Sequence, residues 1–231
     1  MFDGGRKLCP YNEEQCEEND EECCVEIDIN KITSSIWLTN IIHLEDMDSL
    51  VNQKNYYSLL CSKIYRLEIS ELILNGISIL FDDFKVLVSP VENVELMDVD
   101  ILYNDGKPVM LEGILESILH IEIFNLHFKD DFTFVPSAKK MAQLKNLHYF
   151  YLEDIPEVLN VDDLTTFIKN HKNTTIRLSF AHGISDGYKA RLDALIDIII
   201  ESGVSDHVII EYDGQDQDKL DVLEERYFRK D

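Results

Sequence analysis

Basic residues are scarce in this chain. It carries 21 lysines and arginines against 45 aspartates and glutamates, a formal net charge of −24. A surface this acidic repels a phosphate backbone, so direct nucleic-acid binding is disfavoured and a basic protein partner is expected. Long apolar runs are missing as well. No stretch approaches the roughly 18 apolar residues of a membrane-spanning helix, and the opening residues hold no apolar segment suited to a signal peptide. Cysteine is sparse and odd in number, five in all, which points away from a disulfide framework and toward a reducing compartment, the cytoplasm or nucleus. No Pro/Gly/Ser-rich linker divides the sequence. Residues 1–24 read as an acidic, disordered tail, and residues 25–231 as a single structured body.

The motifs of common chemistry are also lacking. The seven histidines form neither H-x3-H nor H-E-x-x-H, so helical metal chelation is unsupported. No G-x-S-x-G elbow occurs. Residues 183–189 place two glycines before a helix but lack the adjacent Gly-Lys-Ser/Thr of a phosphate loop; a turn with Ser185 as helix cap is the simpler reading. Cys9, Cys16 and Cys23-Cys24 are spaced too widely for a zinc pair, and Cys61, in the run Leu59-Leu60-Cys61, reads as a small core residue. The acidic pairs Asp82-Asp83, Asp130-Asp131 and Asp162-Asp163 stand where loops enter helices, which capping explains. No catalytic, cofactor-binding or metal-ligating set is assigned, and the chain reads as a non-enzyme.

What is present is a recurring phrase, apolar-x-x-apolar-x-apolar-x-x-apolar. It occurs as Ile64-Leu67-Ile69-Leu72, Val91-Val94-Leu96-Val99, Ile118-Ile121-Ile123-Leu126 and Leu147-Phe150-Leu152-Ile155. Weaker copies hold Ile36, Leu38 and Ile41 upstream, then Ile176 and Leu178, then Val208 and Ile210. Counted from residues 36, 67, 94, 121, 150, 176 and 208, the step is close to that of a leucine-rich repeat. Each phrase suits a strand with one side buried. Between phrases the periodicity turns helical. Asp82 or Asp83 is expected to cap a helix holding Phe84, Val86, Leu87 and Val88, stopped at Ser89-Pro90. Asp162 is expected to cap one with Leu164, Phe167, Ile168 and His171 on one side, and Ser185 to cap the longest, through Tyr188, Leu192, Leu195, Ile196 and Ile199 to Gly203. The expected fold is a leucine-rich-repeat-like α/β solenoid, parallel strands on one face and helices on the other, with the segment 218–228 as a capping helix. The rival is an enzyme on a doubly wound sheet.

Residues 70–101, SELILNGISILFDDFKVLVSPVENVELMDVDI, and the run from 175 to 203, with TIRLSFAHG followed by DGYKARLDALIDIIIESG, resemble the repeat region of nematode F-box-associated proteins. The resemblance spans about residues 30–215. It implies a leucine-rich-repeat substrate receptor tethered through an F-box and a Skp1-like adaptor to a cullin-type ubiquitin ligase. The chain departs from that pattern: no clear F-box precedes the repeats. The Asn or Cys of the usual repeat consensus is replaced by Leu72, Val99, Leu126 and Ile155, so apolar packing is expected to close the turns.

In this frame Leu67/Ile69, Val94/Leu96, Ile121/Ile123 and Phe150/Leu152 point inward. The residues beside them point outward and mix aromatic with acidic groups, among them Trp37, Arg66, Glu68, Met97, Arg177, Ile209 and Glu211. Phe124, Tyr149 and Tyr151 are expected to form an aromatic anchor for a protein partner, ringed by Glu95, Glu122 and Glu153.

Overall fold

The computed structural model describes residues 6–8, 25–27, 29–45, 53–128, 141, 143–157, 159–203 and 206–229. In chain order the elements are β1 (Arg6–Leu8), β2 (Val25–Ile27), β3 (Ile36–Glu45), α1 (Gln53–Lys63), β4 (Ile64–Asn75), β5 (Ser78–Leu80), α2 (Phe81–Val88), β6 (Asn93–Met97), β7 (Asp100–Leu102), α3 (Leu111–Ser117), β8 (Ile123–His127), β9 (Tyr149–Ile155), α4 (Val161–Asn170), β10 (Thr175–Phe180), α5 (Asp186–Ser202), β11 (Val208–Glu211) and α6 (Gln217–Tyr227). Seven strands form one parallel sheet in the order β3-β4-β6-β8-β9-β10-β11, the order in which they occur in the chain. β5 and β7 make a second, two-stranded parallel ladder beside it. β1 pairs antiparallel with β2. The rest of the acidic tail, with Cys9, Cys16, Cys23 and Cys24, lies outside the described residues, as do Asp130 and Asp131.

Two rows of apolar residues explain the sheet. Ile42, Leu72, Val94, Phe124, Phe150, Ile176 and Val208 stand side by side across all seven strands, and Leu44, Leu74, Leu96, Leu126, Leu152, Leu178 and Ile210 form the next row. All but Leu44 are buried. At about 1.5–3 kcal/mol for each fully buried large apolar side chain, these rows are a major source of stability. Aromatic contacts tie them to the helix layer. Phe124 stacks on Phe150 at 5.7 Å between centroids, and Phe150 meets Phe167 of α4 at 4.9 Å.

The register corrects the expected frame in three places. Leu67 and Ile69 do point inward, but they pair with Leu38 and Asn40 of β3; the rung beside Val94/Leu96 is Leu72/Leu74. On β3 the rung is Ile42/Leu44, and Ile41 points outward. On β8 it is Phe124/Leu126: Ile121 is buried in the turn before the strand, and Ile123 faces outward beside Tyr149. In each case apolar residues of a buried turn or of a strand extension imitate the phrase. The step between rungs is therefore uneven, from 22 residues (72 to 94) to 32 (176 to 208).

The strand exits share a turn. Gly76, Asp98 and Asp154 occupy the same place, two residues past Leu74, Leu96 and Leu152, just after β4 and β6 and at the last residues of β9, with φ of 64°, 53° and 53°. Such left-handed backbone suits glycine and is tolerated by aspartate. The next residues, Ile77, Val99 and Ile155, are buried. Apolar packing thus closes these turns, as expected, but Ile77 takes the role assigned to Leu72, and Leu126 belongs to the sheet row. At the strand entries the turn changes character along the chain. Val88/Val91, Ile118/Ile121 and Leu144/Leu147 are apolar, whereas His171 and Thr174 are buried and polar. Thr174 Oγ1 donates to the Leu147 carbonyl at 2.7 Å, and the His171 ring nitrogens lie 3.1 Å from the Leu144 carbonyl and 2.9 Å from that of Phe167. Buried polar groups persist only with such partners.

Helix termini are partly as expected. Ser185 caps α5, accepting from the Tyr188 amide, and Gly203 ends it at φ 57°. α4, however, is capped by Asn160, which accepts from the Asp162 amide at 2.8 Å. α2 has Leu80 at its N-cap and no side-chain capping bond. Asp82, Asp83, Asp162 and Asp163 instead sit in first turns, where a negative charge complements the helix dipole. α6, capped by Asp216, packs against β11 and buries Leu223; its Arg226 donates to the carbonyls of Ile199 and Ile200 at the end of α5.

Candidate protein-binding face

Strand alternation puts every second residue of the sheet opposite the sealed rows. Three outward rows result. The first holds Ile41, Glu71, Asn93, Ile123, Tyr149 and Thr175. The second holds His43, Ile73, Glu95, Asn125, Tyr151, Arg177 and Ile209. The third runs from Glu45 through Asn75, Met97 and His127 to Glu153. Most of these side chains are half-exposed. Among the described residues, helices pack on the opposite side of the sheet, and this side is half-exposed along most of its length.

Of the six expected binding residues, Tyr149, Tyr151 and Glu153 come together on β9, and Glu95 lies two strands away on the same face. Phe124 does not belong there. It is fully buried in the core row because the rung on β8 begins at 124. Glu122 also leaves the group. It sits just before β8, its carbonyl accepts from the amides of His148 and Tyr149, and it lines a cleft of about 720 Å³ at the strand entries, beside Lys145, Lys169 and Lys172. Ile209, expected outward, is only 2% exposed because α6 closes over the β11 end.

The aromatic part of the face is held by charge. Arg177 Nε donates to Glu211 Oε2 at 2.8 Å, and its guanidinium carbon lies 5.3 Å from the Tyr151 ring centroid. That arrangement combines an ion pair with a cation–π contact. Glu211 holds the guanidinium in its charged form. Burial, reinforced by the Glu153 carboxylate, pushes the Tyr151 hydroxyl up to about 12. Tyr227 of α6 lies beside Tyr149, and burial together with that neighbouring hydroxyl raises its own. Tyr227 was invisible as a site residue in the sequence, where its helical spacing marked it for a cap. A second triad stands at the opposite end, where Trp37 Nε1 donates to Glu68 Oε2 at 3.0 Å and Arg66 Nε to Glu68 Oε1 at 2.9 Å, with the guanidinium carbon 4.7 Å from the Trp37 ring centroid.

Other polar groupings are explained by structure. His127 and Asp154 pair at 2.8 Å at the strand exits. Lys219 bridges Asp193 and Asp197, joining α6 to α5. Cys61 packs against the core, and burial with the nearby Asp83 charge pushes its thiol up to about 12, far from a reactive thiolate. Among the described residues no three His, Cys, Asp or Glu side chains are placed to hold a metal ion, and no helix is long and apolar enough to cross a membrane. Comparison with protein families and with curated proteins finds no match to this chain.

Proposed function

We propose that this chain is a protein-binding scaffold, a one-domain leucine-rich-repeat-like solenoid that receives another protein on its open sheet face. One observation carries the reading. Seven parallel strands follow one another in chain order, with one side sealed by buried rows and the other lined by half-exposed aromatic and carboxylate side chains. Crossovers between parallel strands are right-handed in nearly all proteins. A strand order that never reverses therefore stacks every helix on one side and leaves the other free. A doubly wound sheet reverses its order and binds ligands at the switch point. The rival enzyme reading has no such point in this sheet.

Tyr149 and Tyr151 are the expected anchors, since aromatic side chains supply contact area at low entropic cost. The acidic surface favours a basic partner. The resemblance of the repeats extends the reading to substrate recognition for a ubiquitin ligase in the cytoplasm or nucleus, through a Skp1-like adaptor. The test is capture of partners by the tagged full chain, with Tyr149→Ala and Tyr151→Ala side by side and folding followed by circular dichroism. Loss of capture with intact folding supports the face, and unchanged capture removes it. An adaptor that co-purifies supports the receptor role. Capture without one leaves a bare scaffold.

A further inference from the structure

The open face carries two self-contained triads of carboxylate, arginine and aromatic ring. One is Glu68–Arg66–Trp37 near the β3 end, the other Glu211–Arg177–Tyr151 near the β11 end. Between them the acids continue and the arginines stop. Glu71 on β4 and Glu95 on β6 are diagonal neighbours on the same face: Glu71 stands beside Asn93, and Glu95 is two residues further along β6. Neither carboxylate has an ion pair or hydrogen bond among the described residues. Asn125 of β8 stands directly beside Glu95, and its Oδ1 is buried without a partner. Ile73 and Tyr151 flank this group on either side in the same row. Both carboxylates and the Asn125 Oδ1 are acceptors. Two half-buried, unpaired carboxylates between apolar walls are complementary to a flat cation with several N–H donors. Two carboxylates are too few for a calcium ion, which takes about six to eight oxygens.

We infer that the middle of this face takes an arginine from an extended segment of the partner, its guanidinium lying between Glu71 and Glu95 and its backbone running along the sheet. The guest arginine supplies the member that the chain itself provides in the two flanking triads. The inference rests on the reading of this face as a protein-binding surface, and it names the chemistry that the partner must bring.

The probe is a five-residue peptide, arginine at its centre flanked by valines and serines, with the same peptide carrying citrulline as the uncharged counterpart. Each is titrated into the 15N-labelled full chain, and the backbone amides of Ile73, Glu95 and Asn125 are followed by NMR. The arginine peptide is expected to shift these amides. Its affinity should fall about tenfold or more in the double variant Glu71→Gln/Glu95→Gln and with citrulline, since a hydrogen bond to a charged group is worth about 1.5–3 kcal/mol. No shift at these amides, equal binding of the citrulline peptide, or undiminished binding to the double variant overturns the inference. Its failure is separable from that of the wider reading. Partner capture lost in Tyr149→Ala and Tyr151→Ala but intact in Glu71→Gln/Glu95→Gln keeps the face and removes the arginine; capture unchanged in all of them removes the face.

Discussion

The two ends of the sheet solve one problem in different ways. At the β11 end a helix closes the stack: Leu223 of α6 is 1% exposed, and even the outward Ile209 is covered. At the β3 end Trp37 remains 54% exposed and Ile41 47%. There the strand itself is irregular. Asn40 adopts φ 68°, and the neighbouring strand β4 carries an extra residue, Tyr65, opposite the Ile36/Trp37 step and another, Ser70, opposite the Asn40/Ile41 step. Bulges and left-handed residues bend an edge strand away from the flat form that recruits other strands. The contrast teaches that a strand-helix unit, unable to cover its own apolar side, is finished either by packing or by distortion. The packed end should be rigid in energy and the distorted end tolerant.

The largest expected effect is at the packed end. Leu223→Ala should cost about 2–4 kcal/mol in urea unfolding, as large-to-small changes in sealed sites do. Ile41→Ala, at the other end, should stay within about 0.5 kcal/mol. Equal losses would erase the contrast. Next comes the polar turn before β10. Thr174→Val leaves the Leu147 carbonyl without its donor and should cost about 1–3 kcal/mol, although valine is the residue that Val91 supplies at the matching turn before β6. A cost near zero would mean that the polar and apolar turns are interchangeable. Smaller still, Arg177→Met should lose about 0.5–1 kcal/mol and Arg66→Met less, because the Arg66–Glu68 pair is more exposed than Arg177–Glu211 and more fully screened by water. The reverse ranking would place the tighter triad at the β3 end.

The last difference shows itself only at alkaline pH. Burial, as the first cause in each case, raises the hydroxyls of Tyr151, Tyr188, Tyr212 and Tyr227, all in the later part of the chain. Tyr188 also donates to the Leu159 carbonyl at 2.7 Å. A raised folded value means that the neutral phenol is favoured by folding. This contribution is complete below the ordinary tyrosine value of about 10 and is lost as pH climbs toward the folded values, about 12 for Tyr151. Absorbance of tyrosinate during alkaline titration should show a late wave coinciding with loss of the circular dichroism signal, and Tyr188→Phe should shrink it. A single early wave, complete before unfolding, would contradict the burial of these hydroxyls.

Much of this architecture was readable from residue order. The rungs on β6, β9, β10 and β11 fall where the repeated phrase puts them, and Ser185 and Gly203 bound α5 as expected, since capping there is local. The misreadings share one cause. Ile118-Ile121 before β8, and Leu67-Ile69 at the start of the long β4, satisfy the phrase as well as the true rungs do. An apolar residue in a buried turn and one on a strand have the same composition and spacing. Only pairing with the neighbouring strand separates them, and that error carried Phe124 from the core to the surface. The caps of α2 and α4 failed similarly, because aspartate suits both the cap and the first turn.

Composition and periodicity alone determined that this chain would build parallel strands alternating with helices and would turn an acidic, aromatic side outward, because burial of apolar side chains acts through short-range spacing. Tertiary structure alone decided which apolar residue begins each rung, that Tyr227 meets Tyr149, and that Glu71 and Glu95 face a gap between two arginine triads. These depend on register and on contacts between distant segments, where a shift of a single residue sends a side chain to the opposite side of the sheet.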